Sequence, residues 1–316
     1  GGVVCEREHV KFAFIRDLDE GERRKPRKER IPVSLTCEVL DVSRSGFYAW
    51  LTRAESDRAK DDAELTEVIK QIHDEHKGRL GVDRLVAELA KLGCRHSPKR
   101  VRRLARAAGL TCVHPRPYKA TTVQDEANPD GLVDLVGRDF VPDGPNQLWF
   151  TDITYIRTWN GWAYLVAIMD GYTRKVVGWS IDSHMRTSLV TDALTMAVER
   201  QRPGIGDVVI HSDRGCQYTS HEFRNMALAN GIIPSVGHTG ICFDNAMAES
   251  FNATIKKELI HLHTWPTLGK VKKEVFHYIE VYYNRKRPHS KIAYLTPCEV
   301  EHSWRQEFDT ELSNAA

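Results

Sequence analysis

Three acidic residues stand in segments where their type and placement suggest chemistry. Asp152 lies in the middle of the apolar segment LWFTDITYIR (148–157), where a lone ion is unfavourable unless something compensates it. Asp213 follows the short apolar run at 208–210, and Glu249 lies in AMAESFNATIKKEL (246–259), which has helical spacing. Taken singly, an edge-strand Asp, a turn-forming Asp and a solvated helical Glu are the ordinary interpretations.

Brought together, the three carboxylates predict a metal site, because their mutual repulsion requires cations. Ligands that are all oxygen suit Mg²⁺, for which Mn²⁺ can substitute. Two such ions about 3.5–4 Å apart can activate a nucleophile on one side of a phosphorus and stabilise the leaving oxygen on the other. The set Asp152, Asp213 and Glu249 therefore predicts phosphoryl transfer.

The elements that position these acids follow from the hydrophobic pattern of the second half of the chain. Alternation and apolar runs predict strands over 148–157, 162–169, 175–181, 208–210 and 232–236. Asn160-Gly161 predicts a hairpin turn between the first two. Helical spacing predicts helices over 187–200, over 219–230 and from near Asp244 onward. Three strands able to pair antiparallel, followed by alternating helices and strands, are typical of a ribonuclease-H-like α/β domain.

The first part of the chain is predicted to be helical and basic. Residues 1–120 contain 26 Lys and Arg against 19 Asp and Glu, and residues 91–119 contain nine basic residues and no acid. Two short helices over 31–51 match a helix-turn-helix, and Ser97-Pro98 supplies an N-cap and first-turn proline for a helix to Ala108. Its basic residues are Lys99, Arg100, Arg102, Arg103 and Arg106. This surface favours contact with DNA, and the alternative is a helical packing module with a solvated charged face.

These patterns divide the chain into five segments. Residues 1–30 are a basic segment that we expect to be flexible, and 31–112 form the helical, helix-turn-helix-like region. Residues 113–145, rich in Pro and Gly, form a linker. The catalytic core covers 146–262, and 263–316 form a C-terminal helix and basic tail. The basic turn of that last segment is either a charged cap on a packing helix or a clamp on a DNA backbone.

Several classes of protein are excluded by composition. No apolar run approaches the roughly 20 residues of a membrane-spanning helix, and the charged N-terminal segment does not have the pattern of a signal peptide. The seven cysteines form no CxxC pair and no cluster at zinc spacing, which predicts reduced thiols. We therefore expect a cytoplasmic protein with no membrane partner.

Five strings in sequence order carry a resemblance to a known family. They are PNQLWFTDITYI (145–156), DGYTRKVVGW (170–179), HSDRGCQYTS (211–220), DNAMAESFNATIKKEL (244–259) and YYNRKRPHS (282–290). They resemble the OrfB-type transposases of insertion sequences in the IS-three family, which share an Asp-Asp-Glu core with retroviral integrases. The segment VSRSGFYAW (42–50) and the basic helix are similar to the helical region of that family. Departures are Ile241, where a polar residue is expected, and Ile292-Ala293 in place of a Leu-Gly pair.

The resemblance implies an integrase core whose metal ligands are Asp152, Asp213 and Glu249, holding two magnesium ions. It implies cleavage of a DNA strand at the end of the element, followed by attack of the freed 3′-OH on another phosphodiester. His211, Ser212, Arg214 and Gly215 would shape the turn that presents Asp213. The candidates for DNA contact outside the basic helix are Arg214, Gln217, Tyr218, Asn245, Lys256, Arg285 and Arg287.

The resemblance also implies a bacterial protein associated with the nucleoid, and it implies partners. These are DNA, as terminal inverted repeats and as target, a homo-oligomer that forms on DNA, and the product of an upstream reading frame. Two other functions share part of this pattern. One is a DNA-binding regulator of transposition without strand-transfer activity, and the other is a nuclease acting on RNA–DNA hybrids. The intact carboxylate set argues against the first, and the helix-turn-helix-like region is unexplained by the second.

Overall fold

The computed structural model describes residues 2–26, 29–53, 56–113, 142–237 and 246–315. The chain divides into two compact units, Gly1–Glu67 and Val68–Ala316, and the boundary between them falls inside one helix. The predicted linker over 113–145 lies almost entirely outside the described residues. No described helix is both long and apolar enough to cross a membrane.

The first unit is helical. It contains α1 Gly2–Glu22, α2 Val33–Val39, α3 Arg44–Leu51 and the beginning of α4 Asp57–Glu75. As predicted, two short helices cover 31–51, and the Ser43 side chain caps α3 by accepting a hydrogen bond from the Gly46 N–H. The sequence predicts a flexible segment over 1–30, whereas the structure has a helix there. Phe12 and Ile15 of α1 are buried against Cys37 and Phe47, and so sparse an apolar pattern among many charges did not predict a helix.

The second unit begins with helices, and the last of them is the predicted basic helix. After α4 come α5 Val82–Lys91 and α6 Pro98–Ala107. The Ser97 side chain accepts a hydrogen bond from the Arg100 N–H, and Pro98 occupies the first turn. The chain leaves α6 through Gly109, whose φ of +69° is the left-handed conformation that glycine permits. The apolar residues of α6, Val101, Leu104 and Ala105, form a buried stripe, so its basic residues occupy the remaining faces.

A mixed five-stranded sheet forms the centre of this unit. The strands are β1 Leu148–Thr158, β2 Gly161–Asp170, β3 Val176–Asp182, β4 Val208–Ser212 and β5 Ile232–Val236. Their spatial order is β3-β2-β1-β4-β5. The pairs β1–β2 and β2–β3 are antiparallel, whereas β4 is parallel to both β1 and β5. The predicted strands are therefore confirmed. The predicted hairpin turn lies one residue earlier than expected, at Trp159-Asn160, because Gly161, at a φ of +120°, already pairs with Thr158.

Helices cover both faces of the sheet. One face packs against α7 Thr187–Gln201, the single turn α8 Cys216–Thr219 and α9 His221–Ala229. The other packs against α10 Ala246–Glu258, a 3-10 turn Ile260–Leu262 and α11 Leu268–Phe276, which continues as a π-helix His277–Tyr283. Gly178 of β3 allows α7 to approach closely, because a Cβ there would lie 2.8 Å from the Ala197 backbone nitrogen. This mixed sheet with its flanking helices confirms the predicted α/β fold.

The C-terminal region differs from its prediction. The sequence predicts a helix followed by a basic tail over 263–316, but a further helix, α12 Pro297–Ala315, ends the chain. Its residues are mainly polar, so periodicity does not indicate it. Tertiary contacts hold it in place: Glu301 pairs with Lys175, and the Trp304 ring meets the Tyr172 ring edge-on at 5.1 Å.

Candidate active site

Two of the predicted acids lie side by side because of strand pairing. Phe150 of β1 pairs with His211 of β4 in parallel register. Two residues further along lie Asp152, which is within β1, and Asp213, which directly follows the end of β4 at Ser212. The carboxyl ends of parallel strands are where α/β sheets commonly place ligands. The sheet therefore brings these two carboxylates together at the carboxyl end of β4.

The third acid lies on the helix that packs over this part of the sheet. Glu249 is in the first turn of α10, which is held to the sheet by the buried side chains of Met247, Phe251 and Ile255. Asn252, one turn beyond Glu249, donates from Nδ2 to Oδ2 of Asp152 at 2.9 Å. Residues three apart share a helix face, so Glu249 and Asn252 both face this side of the sheet. The sequence pattern did not single out Asn252, although its spacing from Glu249 is a usable signal.

The pKa of each of the three acids is raised. The pKa of Asp152 is raised to about 7, first by burial and then by the charge of Asp213, against the opposing hydrogen bonds from the Ile153 N–H and from Asn252. The pKa of Asp213 is also raised, by the protein atoms around its carboxylate even though the residue is accessible to water, and the Gly215 N–H opposes this. The pKa of Glu249 is raised by partial burial and then by Asp213.

The donor set fits a divalent metal by its chemistry. The three carboxylates offer only oxygen, and within the described ranges none of them forms an ion pair with Lys or Arg. The geometry is not that of a closed cage. In the described part of the chain no three His, Cys, Asp or Glu side chains are grouped closely enough to hold an ion as they stand. An ion shared by Asp152, Asp213 and Glu249 therefore requires their carboxylates to draw together.

The turn that carries Asp213 is held by side chains predicted to contact DNA. Gln217 is 9% exposed and donates to the Met185 carbonyl, while Tyr218 is 2% exposed and its hydroxyl bonds that of Thr151 at 3.0 Å. Arg214 donates from Nε to the Gly237 carbonyl. The prediction of DNA contact is thus wrong for Gln217 and Tyr218 in this structure, because their polar atoms bind neighbouring parts of the protein.

Arg287 is a second correction. It is 4% exposed and donates from both Nε and Nη2 to the buried carboxylate of Glu258, with an Nη2–Oε1 distance of 2.8 Å. The Tyr278 hydroxyl donates to the same carboxylate at 2.8 Å. The buried pair ties the end of α10 to the segment after the π-helix, so Arg287 positions the helix that carries Glu249 and does not reach a DNA backbone. A sequence pattern cannot distinguish such an arginine from a surface one.

Most of the remaining candidates are exposed, as DNA contact requires, and two are half-buried. Lys99, Arg102, Arg103 and Arg106 of α6 are exposed, and Arg100 is half-buried. Arg285 is exposed and Lys256 is half-buried. Asn245 lies outside the described residues, as does Ile241.

Comparison with known proteins decides the family. Models of the integrase core domain match residues 142–242 and 230–297, and the HTH-like domain matches residues 60–118. The chain is 36% identical over 272 residues to the transposase InsF for insertion sequence IS3A of Escherichia coli (strain K12), covering 85% of this chain and 93% of that protein. The chain belongs to the IS-three family of insertion-sequence transposases. The HTH-like match covers most of α4 together with α5 and α6, so it includes the basic helix of the predicted region 31–112, whereas α2 and α3 lie outside it.

Other relatives and structures are similar to this transposase. It is 37% identical over 237 residues to the transposase for insertion sequence element IS904 of Lactococcus lactis subsp. lactis (strain IL1403), covering 75% of this chain and 93% of that protein. Among solved structures, the HTLV-2 integrase catalytic core domain in complex with magnesium (trimeric form) has a TM-score of 0.39 and 18% identity. The match covers 50% of this chain and 97% of the HTLV-2 integrase chain.

The raised pKa of Asp152 predicts a pH-dependent cost to the stability of this transposase. Between the ordinary aspartate pKa and about 7 the folded chain binds more protons than the unfolded chain, so this residue makes stability fall as pH rises through that window. In a chelator and without metal, Asp152→Asn should raise the melting temperature at pH 8 by a few degrees and leave it unchanged near pH 4. A melting temperature that is equal or lower at pH 8 would show that the carboxylate is not under this strain.

The buried pair predicts a different loss of stability. Arg287→Ala leaves the Glu258 carboxylate buried without its main partner, which should lower the free energy of unfolding by about 3–5 kcal/mol. Chemical denaturation measures this change. Arg285→Ala, two residues away and exposed, is the matched control and should shift the free energy by no more than about 0.5 kcal/mol. If both variants behaved alike, Arg287 would not be a structural anchor.

Proposed function

We propose that the chain catalyses magnesium-dependent cleavage of a DNA strand at insertion-sequence ends and transfer of the freed 3′-OH to target DNA. One observation carries the proposal. In the integrase-core domain, Asp152, Asp213 and Glu249 lie together with raised pKa values, those of Asp152 and Glu249 raised in part by the Asp213 charge, and without a basic partner among the described residues. Such an excess of negative charge suits binding of divalent cations, and the family match supplies the DNA context.

In this proposal the three carboxylates hold two Mg²⁺ ions, for which Mn²⁺ substitutes. When bound, the ions neutralise charge on the reacting phosphate and lower the pKa of an attacking water or hydroxyl. The protein's contribution is to hold the ligands. The Ile153 N–H and Asn252 fix the two oxygens of Asp152, and the Gly215 N–H fixes Asp213. No covalent link to the protein is required, so catalysis rests mainly on positioning and charge neutralisation.

The carboxylates give the first test of this proposal. Asp152→Asn, Asp213→Asn and Glu249→Gln should each reduce nicking and joining of a labelled terminal repeat in Mg²⁺ by several orders of magnitude, because each removes an anionic ligand. Binding of the repeat should remain. Asp192→Asn, an exposed acid on α7, is the control and should be fully active. A chain fused to its upstream reading frame should be run in parallel.

The contradicting outcome is specific. If the wild-type and fused chains both bind the repeat but neither nicks nor joins it in Mg²⁺ or Mn²⁺, then the chain is a DNA-binding regulator. If activity survives all three substitutions, then the chemistry lies elsewhere in the molecule.

We infer that α6 contacts DNA within the HTH-like region. Its basic residues lie around a buried apolar stripe, and several are exposed. Contacts to phosphate fix a protein on the duplex and release counterions, so each one contributes to the salt dependence of binding. We also expect a homo-oligomer on DNA, since two element ends must be joined to one target.

Removing two exposed cations of α6 tests this inference. Arg102→Ala with Arg106→Ala should weaken duplex binding and lower the slope of log affinity against log salt by about 2. Fluorescence anisotropy across a salt titration measures both quantities. Lys273→Ala, an exposed cation on α11, should leave the slope unchanged. An unchanged slope in the double variant would exclude α6 from the interface.

A further inference from the structure

An exposed aromatic surface lies on the hairpin formed by β1 and β2. The register places Tyr155 opposite Tyr164 and Arg157 opposite Trp162, so these four side chains share one face of the sheet. Tyr155 is 49% exposed and Trp162 is 48% exposed, and Arg157 is also exposed. The face is covered further along the hairpin, where Val166 and Ile168 pack with α7. The aromatic end of this face is therefore exposed to solvent.

The side chains on this surface are ordered by contacts among themselves. The Tyr155 ring meets the rings of Tyr164 and Trp162 edge-on, with centroids 5.4 and 6.4 Å apart. The Arg157 guanidinium lies over the Trp162 ring, 5.1 Å from its centroid. Within the described ranges Arg157 forms no ion pair. The surface thus offers exposed π faces beside a positive charge that has no acidic partner in this part of the chain.

This surface lies on the same strand as Asp152 but on the opposite face of the sheet, because Tyr155 and Asp152 are three residues apart and side chains alternate along a strand. The pairing of β1 with β4 ends at Phe150, so beyond that residue β1 has no strand on its β4 side among the described residues. Burial, the neighbouring Tyr164 and the charges of Asp152 and Asp213 all raise the pKa of the Tyr155 phenol, so the carboxylates act on this surface electrostatically. The acid nearest by register is Asp182, opposite Tyr164, and its charge is met by Lys272 at 3.8 Å and by the Ser183 N–H. Arg157 is the cation of this surface.

We propose that Tyr155, Arg157 and Trp162 form a stacking surface for unpaired bases of the DNA strand that is processed at the carboxylates. This proposal rests on the proposed function. Exposed aromatic faces bind unpaired bases, whose π faces are free, whereas the bases of a duplex are already stacked. The guanidinium of Arg157 supplies the positive charge that the phosphate between two such bases requires. Bases that become unpaired near the cleaved strand end would be held on this surface.

The test compares single-stranded with duplex DNA in a chelator, where no chemistry occurs. The probes are a fluorescent oligothymidine of about 16 nucleotides and a duplex of the same length. Trp162→Ala and Tyr155→Ala should each weaken binding of the oligothymidine about 10-fold and leave duplex binding within about two-fold. Trp162→Phe, which keeps a π face, should retain most of the affinity. Phe276→Ala, an aromatic of similar exposure on α11, is the matched control and should bind like wild type.

The outcomes separate this proposal from the proposed function. Asp152→Asn should abolish strand transfer yet bind the oligothymidine at least as well as wild type, so loss of chemistry does not affect the result. Unchanged oligothymidine affinity in Trp162→Ala and Tyr155→Ala overturns the proposal. This holds also if these variants change the oligomeric state. Equal weakening of both probes also overturns it, because the surface would then contact the backbone by charge and not the bases. Melting curves confirm that each variant is folded.

Discussion

Mutual repulsion between three carboxylates is the constraint on which the rest of the site depends. Asp152 and Asp213 are brought together by the parallel pairing of β1 with β4, and Glu249 comes over them on α10. Without a cation this arrangement is unfavourable, and the pKa of Asp152, raised to about 7 first by burial and then by the Asp213 charge, reflects the cost. Structures keep such strain only where the surroundings hold it in place, and it commonly marks a functional site. Here the cost is consistent with a site built to bind positive charge.

The remainder of the second unit acts as the support for this arrangement. Hydrogen bonds from Asn252 and from the Gly215 N–H hold the two aspartates, and Tyr218 and Gln217 hold the turn after β4. At the far end of α10 the buried Glu258 carboxylate is bound by Arg287 and Tyr278. A ligand carried on a rigid, anchored helix can be positioned more closely than one on a loop. The segment YYNRKRPHS (282–290) therefore supports the site indirectly, by holding the end of α10 through packing.

Much of the fold and of the candidate site can be predicted from the sequence, and the failures have a common cause. Alternation gives β1, the Asn160-Gly161 pair gives the hairpin, and Ser97-Pro98 gives the start of α6. The positions of the three acids follow from these elements. Burial of polar residues does not follow, because it depends on partners distant in sequence: Arg287 on Glu258, Gln217 on Met185. The helices α1 and α12 are missed for the same reason, since a few tertiary contacts hold segments that have weak periodicity.

Anomalous diffraction from crystals of the DNA-bound chain grown in Mn²⁺ measures directly whether the three carboxylates share metal ions. We expect two anomalous peaks about 3.5–4 Å apart, with oxygens of Asp152, Asp213 and Glu249 about 2.1 Å from them. Both peaks should weaken or vanish in Asp213→Asn. Peaks at other residues, or ordered DNA beside the three carboxylates with no peak between them, would contradict the shared metal site.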